Sequence, residues 1–209
     1  MSAAEGFFTD TNLLLYAVGT EHPDKNRRAR AWIDALWMSG AGRLSYQVLH
    51  EFHANAVRKL GIAAPRAREH VLLWSAWQPV ESSLVVIQRA WHWMDAAQLS
   101  YWDALILSAA ESSGCQWLLT EDLQDGRTYQ GVTIVNPFRL SPRDFTLATG
   151  LESLMPERTR ESNSDLWSDP IRDTNVFRLA SARFSRNVQW PLLHTPAAGL
   201  VPTGQESSR

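Results

Sequence analysis

Short apolar runs that stop at acidic residues alternate with amphipathic stretches through the first two thirds of the chain. Gly6-Phe7-Phe8-Thr9-Asp10 reads as a brief buried strand ending in a carboxylate. Thr11 and Asn12 then open a turn or helix carrying Leu13, Leu14, Leu15 and Tyr16. A helix is expected from about Lys25 to Trp37, with Asp24 as N-cap and Ala29, Ile33 and Leu36 on one face. Gly40-Ala41-Gly42 ends it, and Arg43-Leu44-Ser45 reads as a short extended piece. From about Gln47 to Leu60, residues Val48, Leu49, Phe52, Ala56 and Leu60 form one apolar arc. Glu51 borders that arc and His50 faces away from it.

Pro65 begins a Trp-bearing helix that ends before Gln78-Pro79, and Pro79-Val80-Glu81 is a second short extended piece. Between Ser83 and Gln98, Val86, Ile87, Ala90, Trp91, Met94 and Ala97 share a face. Trp102 to Ala110 is apolar nearly all round, the pattern of a helix buried on several sides. Gln116-Trp117-Leu118-Leu119-Thr120 is a strand stopping at Glu121-Asp122, and Val132-Thr133-Ile134-Val135 is the last strand. Short apolar strands separated by helices predict an α/β domain around a short parallel sheet.

The alternation stops near Asn136-Pro137-Phe138, which divides the 209 residues into 1–140 and 141–209. The second part is rich in Arg, Ser, Thr and Pro, and its apolar residues follow no clear period. It is expected to be an irregular C-terminal extension, with short helices at Leu151–Met155 and Val176–Phe184 and disorder from Thr195 onward. Its composition suits either a segment that binds a partner or the product of a lost stop codon. Charge sharpens the division. Residues 1–140 hold 12 Lys+Arg and 14 Asp+Glu, whereas 141–209 hold 8 of each and no Lys.

Composition then narrows the class. The 44% hydrophobic content is too high for a disordered polypeptide, so a core is expected. One cysteine, Cys115, excludes a disulfide framework and a Cys-rich zinc site. No run approaches the roughly 18 apolar residues of a spanning helix, and no membrane association is expected. Met1 to Gly6 lacks the basic and apolar regions of a secretory signal, so a cytoplasmic setting is expected. The isoelectric point near 6.3 excludes bulk basic charge as a means of holding nucleic acid.

Candidate chemistry lies in the acids. Ligands of open parallel sheets gather at the carboxyl ends of strands, where Asp10 and the Glu121-Asp122 pair fall. Asp103 begins a buried helix, and Glu51 borders a core face. Carboxylates gathered without basic partners repel one another, and a divalent cation relieves them. Each acid also has a plainer role: Asp10 as a helix cap, Asp103 at the helix dipole, Glu51 as a solvated border residue, Asp122 as a turn cap. Glu121 is expected to point to solvent. The six histidines show no competing ligand spacing, and His50 and His53 read as surface or rim residues.

Three motifs carry a resemblance. Thr9-Asp10-Thr11-Asn12-Leu13-Leu14-Leu15-Tyr16 resembles the opening signature of PIN domains, specifically of VapC-type toxins. Tyr101-Trp102-Asp103-Ala104-Leu105-Ile106 and Leu119-Thr120-Glu121-Asp122-Leu123-Gln124 are similar to the two later acidic motifs, in the right order. Val135-Asn136-Pro137-Phe138 resembles the way a subset of these toxins closes. The resemblance covers about residues 6–138 and implies a three-layer α/β/α fold. It also implies an endoribonuclease dependent on Mg²⁺ or Mn²⁺.

On that resemblance, Asp10, Asp103 and Asp122 are metal ligands, and Glu51 completes the catalytic set directly or through water. Thr120 and Asn12 orient those acids. The implied partners are an RNA substrate, a cognate antitoxin whose Arg pairs with Asp10 or Asp103, and a second copy in a homodimer. Lys25, Arg27, Arg28 and Arg30, with Arg58 and Lys59, form either a phosphate track or solvated helix faces. Trp102 offers a stacking surface beside Asp103. Three other readings stand beside this one: a DNA-directed or flap nuclease using the same acids, a non-catalytic PIN-like RNA-binding module, and a phosphatase. The last is weakened by the lack of an Asp-x-Asp pair after a strand.

Overall fold

The computed structural model describes residues 6–151 and Leu154. In chain order the elements are β1 (Gly6–Thr9), α1 (Thr11–Val18), α2 (Pro23–Ser39), β2 (Gly42–Arg43), α3 (Tyr46–Arg58) and α4 (Ala64–Trp74). A single 3₁₀ turn (Ser75–Trp77) follows, then α5 (Leu84–Ala97), α6 (Tyr101–Ser112), β3 (Cys115–Leu119), β4 (Thr128–Tyr129), β5 (Val132–Val135) and α7 (Pro142–Thr149). The strands form one sheet in the order β2-β1-β3-β5-β4, parallel except where β4 pairs antiparallel with β5. Helices flank the sheet, as expected for an α/β/α arrangement.

Burial explains why the strands read as apolar runs rather than alternating ones. Phe7, Phe8, Leu118, Leu119 and Ile134 are wholly buried, because helices cover both faces of a parallel sheet. The α6 stretch from Ala104 to Ala110 is buried throughout, which accounts for its all-round apolar pattern. Gly42 in β2 is required by close approach: a Cβ there would lie 2.8 Å from the Trp77 ring.

Besides Trp91, expected on the apolar face of α5 but exposed while Trp93 is buried in its place, three features differ from the sequence expectations. The second helix starts at Pro23 with His22 as its N-cap, not with Asp24. Proline needs no N–H partner at the first helical position, so it sets the start. Asp24 instead sits in the first turn and pairs with Arg27 at 2.8 Å. The second feature is β4, which was not expected because two residues carry no readable period. It turns into β5 through Gln130 and Gly131, at φ 42° and 92°.

The third feature lies beyond residue 140. Ser141 caps α7, accepting from the Asp144 N–H and donating to its carboxylate. Phe145 of that helix reaches the main core, as do Leu151 and Leu154. The position at which the alternation stops is therefore not the edge of the packed core. The remaining expectations for the extension, at Met155, Val176–Phe184 and from Thr195 onward, lie outside the described residues.

One buried histidine ties the packing to pH. His70 of α4 stacks on Trp74 at 5.4 Å and meets the Phe52 ring at 6.0 Å. Burial lowers its pKa from 6.5 to about 4, with the Arg66 charge adding to the effect. The unfolded chain thus binds a proton that the folded chain refuses, so His70 lowers stability as pH falls from 6.5 through 4. The loss reaches as much as about 3 kcal/mol. Urea melts of wild type and His70→Phe at pH 7 and pH 4 measure it. The variant is expected to lose less stability on acidification than wild type, and parallel losses would remove His70 as the cause.

Candidate active site at the carboxyl ends of two strands

The register of the sheet sets the first contacts. Thr9 of β1 lies opposite Leu119 of β3, so the residues just past both strands, Asp10 and Thr120, become neighbours. The Asp10 N–H donates to the Leu119 carbonyl at 3.1 Å, fixing the chain as it leaves the sheet. Asp10 is then the N-cap of α1, its Oδ1 accepting from the Thr11 N–H at 2.6 Å. The plainer role expected for Asp10 is real, and its second oxygen has further partners. Oδ2 accepts from the Thr120 hydroxyl at 2.7 Å and from Asn12 Nδ2 at 3.1 Å.

Asn12 bridges two acids. Its Nδ2 also donates to Asp122 Oδ2 at 3.1 Å. The Asp122 N–H donates to Thr120 Oγ1 at 3.1 Å, so one hydroxyl serves both carboxylate-bearing segments. The amide orientation follows from charge: turned over, Asn12 would aim its carbonyl at two carboxylates. Its Oδ1 is buried and has no hydrogen-bond partner among the described residues.

Glu51 enters from α3. Its Oε2 accepts from the Thr11 hydroxyl at 2.8 Å, and its Oε1 from Gln47 one helical turn earlier at 2.9 Å. Asp10, Asp122 and Glu51 thus lie in one network running through Thr11, Asn12 and Thr120. Glu121 does not point to solvent as expected. It is partly buried and pairs with Lys25 of α2 at 2.6 Å. Asp103 stands apart: among the described residues its carboxylate bonds only Ser100, in a capping pair at the start of α6, 2.7 Å from that hydroxyl.

Electrostatics follow this geometry. Asp10 is 8% exposed, and its pKa is raised from 3.8 to about 7. Burial is the main cause, opposed by the bonds from Thr120 and Thr11 and reinforced by the Asp122 and Glu51 charges. Asp103 does not figure among those charges. The donor set is one of hard oxygens whose repulsion a divalent cation would relieve, and an unpartnered buried oxygen on Asn12 lies within it. In donor chemistry Asp10 and Asp122 therefore fit Mg²⁺ or Mn²⁺. Among the described residues no three His, Cys, Asp or Glu side chains converge as a complete metal-holding group.

Sequence reasoning missed two connections here. The Thr11–Glu51 bond and the Lys25–Glu121 pair join residues 40 and 96 positions apart, which no local pattern reveals. The basic track is also partly committed elsewhere. Arg30 Nε donates to the Ala17 carbonyl, and Arg58 to Asn55.

Fold and site together define an α/β protein with a polar, acidic centre at the carboxyl ends of adjacent parallel strands. The sequence matches the PIN domain over residues 7–128, more than half of the chain, and the protein belongs to that family. The matched span includes Asp10, Glu51, Asp103 and Asp122. PIN domains are generally nucleases, and PIN nucleases generally use divalent metals. No curated protein compared with the chain matches it. Among the described residues no helix is long and apolar enough to cross a membrane.

Proposed function

We propose that the chain is a Mg²⁺- or Mn²⁺-dependent endoribonuclease of the VapC toxin type, paired with a protein antitoxin and acting in the cytoplasm as a homodimer. One observation carries the reading. A nearly buried carboxylate, Asp10, is held by three hydrogen bonds beside two further acids, with its pKa raised to about 7. A structural cap has no use for that arrangement. A site that must concentrate negative charge until a cation arrives does.

Asp10, Asp103 and Asp122 are the proposed metal ligands, and Glu51 completes the catalytic set. When bound, the metal supplies an activated water and neutralises charge on the phosphodiester. The chain's own groups prepare for this. Thr120 and the Thr11 N–H fix the Asp10 carboxylate, Asn12 holds Asp122 beside it, and Thr11 ties in Glu51. Residues 1–140 are proposed as the unit that carries the nuclease chemistry, with α7 of the 141–209 extension packed on its core; no function is assigned to that extension.

Cleavage of labelled RNA and DNA with Mn²⁺, by wild type and Asp103→Asn, tests the reading. Asn keeps the capping oxygen that Ser100 needs but loses the charge, so stability should stay within about 0.5 kcal/mol. RNA cleavage is expected to fall at least tenfold. Cutting of DNA but not RNA, or equal cutting by both proteins, would overturn the proposal.

A further inference from the structure

The Lys25 ammonium is held in a small cage of groups from three segments. It lies 2.6 Å from Glu121 Oε2 and 3.0 Å from the Tyr16 hydroxyl. It also sits 4.4 Å from the centre of the Tyr16 ring and 5.1 Å from that of Phe138. Those rings meet edge to face at 5.0 Å. A flexible surface ion pair contributes little, because both side chains lose rotamer freedom and water screens them. Here neither partner is fully exposed, at 35% for Lys25 and 22% for Glu121, and two rings lie against the lysine ammonium.

Glu121 immediately precedes Asp122, and the two carboxylates face different partners. Glu121 is drawn toward α2, whereas Asp122 meets Asn12 beside Asp10. With the Asp122 N–H on Thr120 Oγ1, this turn is held from both sides. We infer that Lys25 is a positioning residue: by clamping Glu121 it selects Asp122, of two adjacent acids, as the one presented to Asp10. The inference rests on the reading of that acid cluster as a divalent-metal site. Groups that hydrogen-bond a metal's ligands commonly change metal affinity by about 10–100-fold, and Lys25, acting one residue further out through Glu121, is expected at the low end of that range.

Calorimetric titration of the full chain with Mn²⁺ and no RNA tests it, alongside thermal melts of each protein. Lys25→Met and Glu121→Gln are each expected to weaken Mn²⁺ binding about tenfold. The double variant should bind no more weakly than either single one, because both remove the same clamp. Lys25→Arg, which keeps the charge and a donor, should bind within about threefold of wild type. Lower melting temperatures with unchanged Mn²⁺ affinity would overturn the inference and leave Lys25 a purely structural residue. Additive losses in the double variant would overturn it too. Failure of the wild type itself to bind Mn²⁺ would instead bring down the metal-site reading, and the inference with it.

Discussion

Asp10→Asn is expected to reduce RNA cleavage about a thousandfold, or about 4 kcal/mol of transition-state stabilisation, while making the folded chain more stable at pH 8. The two effects share one cause. Asp10 carries a charge that burial and the neighbouring Asp122 and Glu51 oppose. Its pKa is raised from 3.8 to about 7, so between those values the folded chain holds a proton that the unfolded chain has lost. That contribution is complete below pH 3.8 and disappears as pH rises through 7. Above pH 7 the wild type bears the full cost of a buried carboxylate, and the asparagine variant bears none of it. A shift of this size corresponds to about 4 kcal/mol.

The net gain should be smaller, about 1–3 kcal/mol, because the new amide meets the Asn12 amide donor to donor. Melts at pH 5 and pH 8 separate these contributions. The variant should gain on wild type as pH rises, and added Mn²⁺ should stabilise the wild type only. A difference that does not change with pH would show that the Asp10 charge costs the fold nothing.

Strand ends are legible in this sequence because burial on both faces leaves no alternation, and the first polar residue afterwards marks the exit from the sheet. Phe7-Phe8-Thr9-Asp10 and Leu118-Leu119-Thr120 both show it, and they bring Asp10 next to Thr120. Strand ends alone leave open which of Glu121 and Asp122 faces Asp10; the family resemblance favours Asp122, and Asp122 is the one that shares the Asn12 amide with Asp10. The side of a turn on which a side chain falls depends here on Lys25, 96 positions away in the chain. Asp103 is a different case. Its motif is clear in the sequence, yet in the structure its carboxylate is engaged by its own helix cap. A local Ser-x-x-Asp pattern satisfies the backbone whether or not the acid also serves a site.

The α7 helix was illegible for a physical reason as well. Its Ser141-to-Asp144 cap is present, but it carries one buried large side chain, Phe145, while Leu147 is 75% exposed. Two inward residues, Pro142 and Phe145, are too few to make a periodic stripe. Its neighbours make up for that: Phe145 packs edge-on to Trp117 at 4.9 Å, Phe7 at 5.5 Å and Trp32 at 5.7 Å. The Trp32 indole N–H donates to the Leu140 and Pro137 carbonyls, tying the chain before α7 to the same place.

Phe145→Ala is therefore expected to cost about 3–5 kcal/mol, a large share of the stability of an ordinary domain. Leu147→Ala, on the opposite side of the same helix, should cost no more than about 0.5 kcal/mol. Urea unfolding of both variants measures the contrast directly. A loss for Phe145→Ala as small as that for Leu147→Ala would mean that α7 rests on the core without completing it. The expected large loss would mean that a chain stopped at residue 140 lacks part of its own core. Cleavage lost by such a truncation would then report unfolding, and would not place residues 141–209 in the chemistry.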